Sequence, residues 1–291
     1  MTVADDSVVS THDQSATPVQ TEPAVLYEAH DSGVAVVTFN RPERMNAWGN
    51  PMGTEFYRCV EAAEADPGVR VIVVTGKGRA FCAGADMGGM QALSADTAAS
   101  GERTDFSALV AEKHPYFLTQ LTKPVIAAIN GAIAGIGLSQ ALMADIRFAA
   151  AGAKFTTSFA RRGLVAEYGI SWILPRLVGW SVAVELLLSG RTFFAEEAAE
   201  LGLVTEVVAG EQLMDRVLAY AEDIARNCSP SSLAVMKHQL YADAGMGIVE
   251  TSQKAEKLMH DSMQRNDFIE GITAFFEKRS PNFPPLIAQS A

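Results

Sequence analysis

Cysteine and histidine are scarce. Three cysteines, Cys59, Cys82 and Cys228, in 291 residues are too few and too scattered for a disulfide framework. No Cys-x-x-Cys pair occurs, and His12, His30, His114, His238 and His260 never fall at metal-ligand spacing. No structural zinc or other metal site is expected. Basic residues are also in short supply: 23 Lys and Arg face 34 Asp and Glu, a net charge of −11. That balance argues against nucleic-acid or anionic-membrane partners engaged through bulk charge. Gly, Asp or Arg interrupts every apolar run well short of the about 18 residues a membrane span needs. The opening residues, Met1-Thr2-Val3-Ala4-Asp5-Asp6, have neither the basic start nor the apolar stretch of a secretory signal. A reduced, cytoplasmic protein is the expectation.

Apolar residues make up 48% of the chain and charged ones 20%, enough to bury a sizeable core and to exclude overall disorder. Residues 1–23 are rich in Thr, Ser, Asp and Gln and read as a flexible leader. In the core, expected over 24–207, the run Val34-Ala35-Val36-Val37-Thr38-Phe39 reads as a strand. A helix is expected over 52–65, with Phe56, Val60 and Ala63 on one face and Asp66-Pro67-Gly68 ending it. Two nearly all-apolar runs, 69–75 and 124–129, read as strands covered on both faces. Strand and helix alternate, which predicts an α/β architecture. From 208 to 291 only helical periodicity remains, over 211–226, 232–242 and 248–264, with Ser229-Pro230 as a helix start. His114 and Tyr116 fall in a further helical stretch before Pro124.

Two segments share one design, an apolar strand, then small residues with glycine, then a helix start. They are 78–87, Gly-Arg-Ala-Phe-Cys-Ala-Gly-Ala-Asp-Met, and 129–139, Ile-Asn-Gly-Ala-Ile-Ala-Gly-Ile-Gly-Leu-Ser. Small residues admit close approach to the backbone, and a helix start presents free N–H groups. If the segments face each other, two N–H groups can clasp an oxygen that becomes negative, each donor contributing about 3 kcal/mol. The plain alternative is that small residues let helices pack tightly on the sheet. The second segment lacks the third glycine and following acidic residue of a dinucleotide loop. No Walker lysine or Gly-x-Ser-x-Gly elbow is present.

Further ordered motifs accompany these segments: Asn40-Arg41-Pro42 with Asn46-Ala47, then Ala144-Asp145. Pro175-Arg176-Leu177-Val178-Gly179, Leu187 with Ser189-Gly190, and Ala195 to Val204 follow, and Thr273-Ala274-Phe275-Phe276-Glu277-Lys278-Arg279 closes the set. With them the chain resembles the crotonase (enoyl-CoA hydratase/isomerase) superfamily, collinearly over 25–283. The resemblance implies a spiral of ββα units with a C-terminal helical region used in oligomer formation, as a homotrimer or a pair of trimers. It implies an acyl-CoA thioester as substrate and no cofactor beyond that coenzyme A. The thioester carbonyl would sit between the backbone N–H groups of Ala85 and Ile136. Ile136 stands where the family usually has glycine; the donor survives, but the branched side chain reshapes the pocket.

The acid/base residues depart further from the family. Aligned without gaps from Asn130 to Gly179, the places of the two hydratase glutamates hold Ser139 and Phe159. Glu167, in Gly-Leu-Val-Ala-Glu-Tyr-Gly before the next helix, occupies a position that faces the pocket in the family. A carboxyl in an apolar setting has its pKa raised toward neutrality, which suits proton shuttling. Double-bond isomerisation by Glu167 is therefore expected. The alternatives are hydration by Glu167 with a water held by Ser139, and a non-catalytic acyl-CoA-binding protein. Glu167 can also be read as a helix-start charge or an ion-pair partner of Arg161 or Arg162.

Met87, Met90, Leu93 and His114 are candidate pocket residues, while Asp86 reads as a helix cap and Asp145 as structural. Coenzyme A phosphates require local cations in an acidic chain. Arg44, Arg79 and Lys278, with Ala83, are expected at the coenzyme, and Lys77 and Arg279 are further candidates.

Overall fold

Alternation along each strand sorts its side chains between two apolar clusters on opposite faces of a sheet. In the computed structural model, which describes residues 22–88, 91 and 113–286, ten strands form two sheets. They are β1 (Val25–Ala29), β2 (Val34–Phe39), β3 (Val71–Gly76), β4 (Ala80–Cys82) and β5 (Val125–Ile129). After them come β6 (Ala132–Ala134), β7 (Ile146–Ala150), β8 (Lys154–Thr156), β9 (Thr192–Phe194) and β10 (Glu206–Val208). The larger sheet runs β1-β2-β3-β5-β7-β10 and the smaller β4-β6-β8-β9. Three times in succession, a strand of the larger sheet is followed directly by one of the smaller: β3–β4, β5–β6 and β7–β8. Helix Ile136–Met143 follows the second pair and helix Ile170–Val178 the third. This is the spiral of ββα units that the resemblance implies.

Val71, Val73, Ile126 and Ala128 pack into one cluster, while Ile72, Val74, Val125, Ala127 and Ile129 pack into the other. Both faces are covered, so these strands show no polar alternation, as parallel strands between layers require. Helix Met52–Ala65 spans the expected residues and buries Met52, Phe56, Val60 and Ala63. Helix Leu213–Asn227 covers the opposite face with Leu213, Val217, Ala221 and Ala225, one stripe repeating every fourth residue. The region after 207 thus divides. Its first helix closes a core, whereas helix Ile248–Met263 buries no residue and Asn266–Glu277 buries only Ala274. Tyr116 and His114 precede, rather than occupy, the short helix Phe117–Gln120, a correction to the expected helical stretch.

Asp145 is a structural hub at the start of β7. Its carboxylate accepts from Lys237 Nζ at 2.7 Å, the Tyr241 hydroxyl at 3.0 Å and the Val125 N–H at 2.7 Å. Lys237 is only 5% exposed. Burial draws its ammonium pKa down, and Asp145 opposes that shift. Removing the acid would strand a buried cation, so Asp145→Ala is expected to cost about 3–5 kcal/mol. Urea unfolding monitored by circular dichroism measures it. A midpoint unchanged from wild type would refute the hub.

Candidate active site

β4 and β6 run parallel, with Ala80 opposite Ala132 and Cys82 opposite Ile133. Their chains leave the sheet at the same end, so the turns after them are neighbours. Both turns need glycine: Gly84 has φ +103° and Gly135 +50°, left-handed backbone that side chains oppose. A methyl on Gly135 would lie 3.9 Å from Gly84 Cα, and one on Gly84 would lie 3.4 Å from the Ala134 carbonyl oxygen. The helix start is just as close. A methyl on Gly137 would meet the Cys82 carbonyl oxygen at 2.3 Å. Tight packing and exposed backbone donors are therefore two aspects of one arrangement.

Trp48 sets the first turn. Its N–H donates to the Gly84 carbonyl at 2.7 Å, and its carbonyl accepts from the Asp86 N–H at 2.8 Å, in a parallel bridge opposite Ala85. In that pattern the residue between the two bonds turns its own N–H away. The Ala85 N–H has no acceptor among the described residues. Ile136 opens helix Ile136–Met143, and its N–H has no carbonyl to reach one turn back. Trp48 is in turn fixed by edge contacts with Phe39 and Phe56 at centroid distances of 5.9 and 5.6 Å.

Ala85 and Ile136 line one cavity of about 350 Å³. Trp48, Gly49, Ala83, Gly84, Asp86 and Met87 share its wall on one side; Gly135, Ser158, Phe159, Arg162, Leu164, Glu167 and Tyr168 complete it. Phe159 is 4% exposed, and its ring edge would meet a methyl on Gly135 at 3.9 Å. It supplies an apolar, low-dielectric neighbour to the second turn. Asp86 is tied down, with Arg44 at 2.9 Å and Arg41 at 3.3 Å, and it accepts the Gly88 N–H at 3.1 Å. Burial alone would raise its pKa, but the Arg44 and Gly88 bonds and both guanidinium charges hold it below the usual carboxylate range.

Glu167 behaves differently. It stands in the turn before Gly169 and helix Ile170–Val178, where its carbonyl accepts the Ile170 N–H at 3.1 Å. Its half-buried carboxyl makes no hydrogen bond or ion pair among the described residues. Burial raises its pKa. Neither cation considered as its partner takes that role: Arg161 Nε donates to the Ser189 carbonyl at 2.8 Å and Arg162 to the Ser158 carbonyl at 3.5 Å. Burial, and then Glu167, raises the pKa of neighbouring Tyr168. Cys82, whose thiol burial pushes up to about 12, stays protonated and is no nucleophile.

The other expected site residues divide. Ala83, Met87 and Phe159 line the cavity. Ser139 does not: it is fully buried, with its hydroxyl donating back to the Gly135 carbonyl at 3.4 Å. The expectation that it lines the pocket is thereby corrected, since its hydroxyl is taken by the backbone of its own helix start. His114 also stands off the lining and packs behind it, its ring 5.7 Å from that of Tyr168. Met90 and Leu93 lie outside the described residues. Arg44, Arg79 and Lys278 are exposed and off the lining. Among the described residues, no three His, Cys, Asp or Glu gather to hold a metal ion, and no helix is long and apolar enough to cross a membrane.

Trp48, Ser158, Arg162, Leu164 and Tyr168 were not anticipated. Gly163, with φ +69°, ends the short turn Ala160–Arg162 that lies between Phe159 and Leu164 on the cavity wall.

The family profile matching residues 29–285 is Enoyl-CoA hydratase/isomerase. The chain belongs to this family. A 1,2-epoxyphenylacetyl-CoA isomerase of Escherichia coli is 36% identical over 261 residues, covering 87% of this chain and 95% of that protein. A mitochondrial enoyl-CoA hydratase of Pongo abelii is 37% identical over 250 residues, covering 86% and 83%. Among solved structures, an enoyl-CoA hydratase from Mycobacterium marinum is 61% identical, with a TM-score of 0.64, over 76% of this chain and 98% of that one. An enoyl-CoA hydratase from Bacillus anthracis gives a TM-score of 0.81 at 28% identity, over 90% and 99%. Isomerases and hydratases alike thus share the enoyl-CoA hydratase/isomerase fold, and side chains must distinguish them.

Proposed function

We propose that this enzyme isomerises the double bond of an enoyl-CoA thioester through an enolate, with Glu167 as the sole proton carrier. One observation carries the reading: Glu167 is a half-buried carboxyl, unpaired among the described residues, on the same cavity as Ala85 and Ile136. The positions of the hydratase glutamates hold Ser139, whose hydroxyl turns to the Gly135 carbonyl, and Phe159, which has no acid. The thioester oxygen accepts from the Ala85 and Ile136 N–H groups. The Glu167 carboxylate removes a proton from the α-carbon of a β,γ-enoyl thioester, and the electron pair moves into the carbonyl as the dienolate. The same carboxyl returns the proton to the γ-carbon. The double bond has moved to the α,β position, and no atom is gained or lost. Preorganised donors lower the cost of the oxyanion, and a base with raised pKa lies nearer the weak acid it must deprotonate. The scheme requires no cofactor besides the coenzyme A of the substrate.

Incubation of β,γ-enoyl-CoA substrates in heavy-oxygen water tests the reading. The expected product is the α,β-alkene without solvent oxygen. A 3-hydroxyacyl product carrying solvent oxygen would establish hydration instead, and tight acyl-CoA binding without turnover would establish a carrier. The pH profile adds a second check. As the base must be ionised, kcat/KM is expected to climb with pH through a midpoint above the ordinary carboxylate range. The same raised pKa makes ionising Glu167 unfavourable to folding. Its stability contribution is complete below the unfolded pKa and is lost as pH rises through the folded one.

For the coenzyme phosphates, Arg44, Arg79 and Lys278 are the proposed contacts, supported by their exposure and charge. The helices Ile248–Met263 and Asn266–Glu277 expose Ile248, Val249, Phe268, Ile269, Ile272, Phe275 and Phe276. A face this apolar supports association of copies, which the family resemblance puts at a trimer or a pair of trimers. Light scattering is expected to give a mass of three or six chains; a monomer at micromolar concentration would refute it.

A further inference from the structure

Asp86, Glu167 and Arg162 are the charged side chains on the cavity among the described residues. Asp86 is matched twice, by Arg44 and Arg41. Glu167 makes no ion pair among the described residues. Arg162 has no carboxylate among the described residues, only the 3.5 Å contact with the Ser158 carbonyl, at the outer limit of a hydrogen bond. A guanidinium cannot shed its proton. The cavity wall therefore carries an exposed guanidinium that bonds no carboxylate among the described residues, in a chain of net charge −11. Ser158, itself buried, adds a hydroxyl to the same wall, 3.9 Å from where a methyl on Gly135 would stand. A plain hydrocarbon gains nothing from these groups, and one that covered the exposed guanidinium would cost it part of its water. A carboxylate would accept two parallel bonds from it.

We propose that Arg162 selects acyl thioesters whose acyl group carries a carboxylate beyond the reacting carbons, so that the substrate class is the CoA thioester of a dicarboxylic acid. The proposal rests on the proposed function for the position of the thioester, and its binding preference needs no turnover.

Saturated thioesters cannot isomerise, so they read Arg162 apart from Glu167. The experiment compares hexanoyl-CoA with adipoyl-CoA, and shorter and longer matched pairs, by titration calorimetry on the full-length protein. At the best-fitting length the carboxylate-ended member is expected to bind about tenfold or more tighter. Arg162→Gln is expected to bring the ratio near one. Arg162→Lys, which keeps the charge but loses the planar fork, should retain part of it, and it decides the matter if the Gln variant does not fold. A wild-type ratio at or below one for every length overturns the proposal, as does a ratio that survives both substitutions. Should Glu167 prove dispensable for isomerisation while the ratio behaves as expected, the proposed mechanism fails and the role of Arg162 stands.

Discussion

Glu167→Gln is expected to lower turnover of a β,γ-enoyl-CoA by about a hundred- to ten-thousandfold, the usual share of a positioned general base. The substitution keeps the shape of the side chain and removes its ability to take a proton. No ion pair or hydrogen bond of the carboxylate is lost among the described residues, and only the main-chain carbonyl of Glu167 serves the fold, accepting from Ile170. Stability should stay within about 0.5 kcal/mol of wild type, as for substitutions away from structural interactions. Acyl-CoA binding should persist, because the N–H donors of Ala85 and Ile136 are untouched. The acid limb of the pH profile should vanish with the residual rate. Full activity in the Gln variant would exclude Glu167 as the proton carrier.

Gly137→Ala should damage fold and chemistry together. Its Cβ would stand 2.3 Å from the Cys82 carbonyl oxygen and 2.7 Å from Cys82 Cβ. Backbone at the end of β4 cannot swing aside as a flexible side chain would, so helix Ile136–Met143 must move. Overpacking of this kind costs about 1–3 kcal/mol, and more where backbone is the obstacle. Moving that helix also carries the Ile136 N–H away from the Ala85 N–H, and one lost oxyanion donor costs about a hundred- to a thousandfold in kcat. Gly245→Ala is the control. Nothing lies within 4 Å of its Cβ and its backbone is not left-handed, so no loss is expected. Thermal unfolding and kcat measured on both variants separate the site from a general intolerance of methyl groups. Wild-type kcat in Gly137→Ala would refute the close approach of helix and strand.

Much of the scaffold was legible because it is local. The helix Met52–Ala65 has apolar residues at helical spacing and a proline-glycine stop directly after it. β3 and β5 are short, rich in Val and Ile and nearly all apolar, which marks strands covered on both faces. The three-residue strands β4, β6 and β8 were not legible. Their small or mixed residues carry no pattern, and only pairing with neighbours from distant parts of the chain makes them strands. Glu167 was legible as a candidate through its motif, with pairing to Arg161 or Arg162 as the alternative reading. The structure instead leaves both charges unpaired among the described residues.

What the sequence by itself determined is the order of its longer strands and helices and the two small-residue turns. Each is a property of neighbours along the chain, where period, branching and glycine act over a few residues. Only the tertiary structure decided that Ala85 and Ile136 share a cavity with Glu167, and that Ser139 turns its hydroxyl away from it. These outcomes depend on parallel pairing of β4 with β6 and on the rotation of a helix fixed by Gly137 against Cys82. Contacts between segments more than fifty residues apart are selected by packing, and no local pattern encodes them.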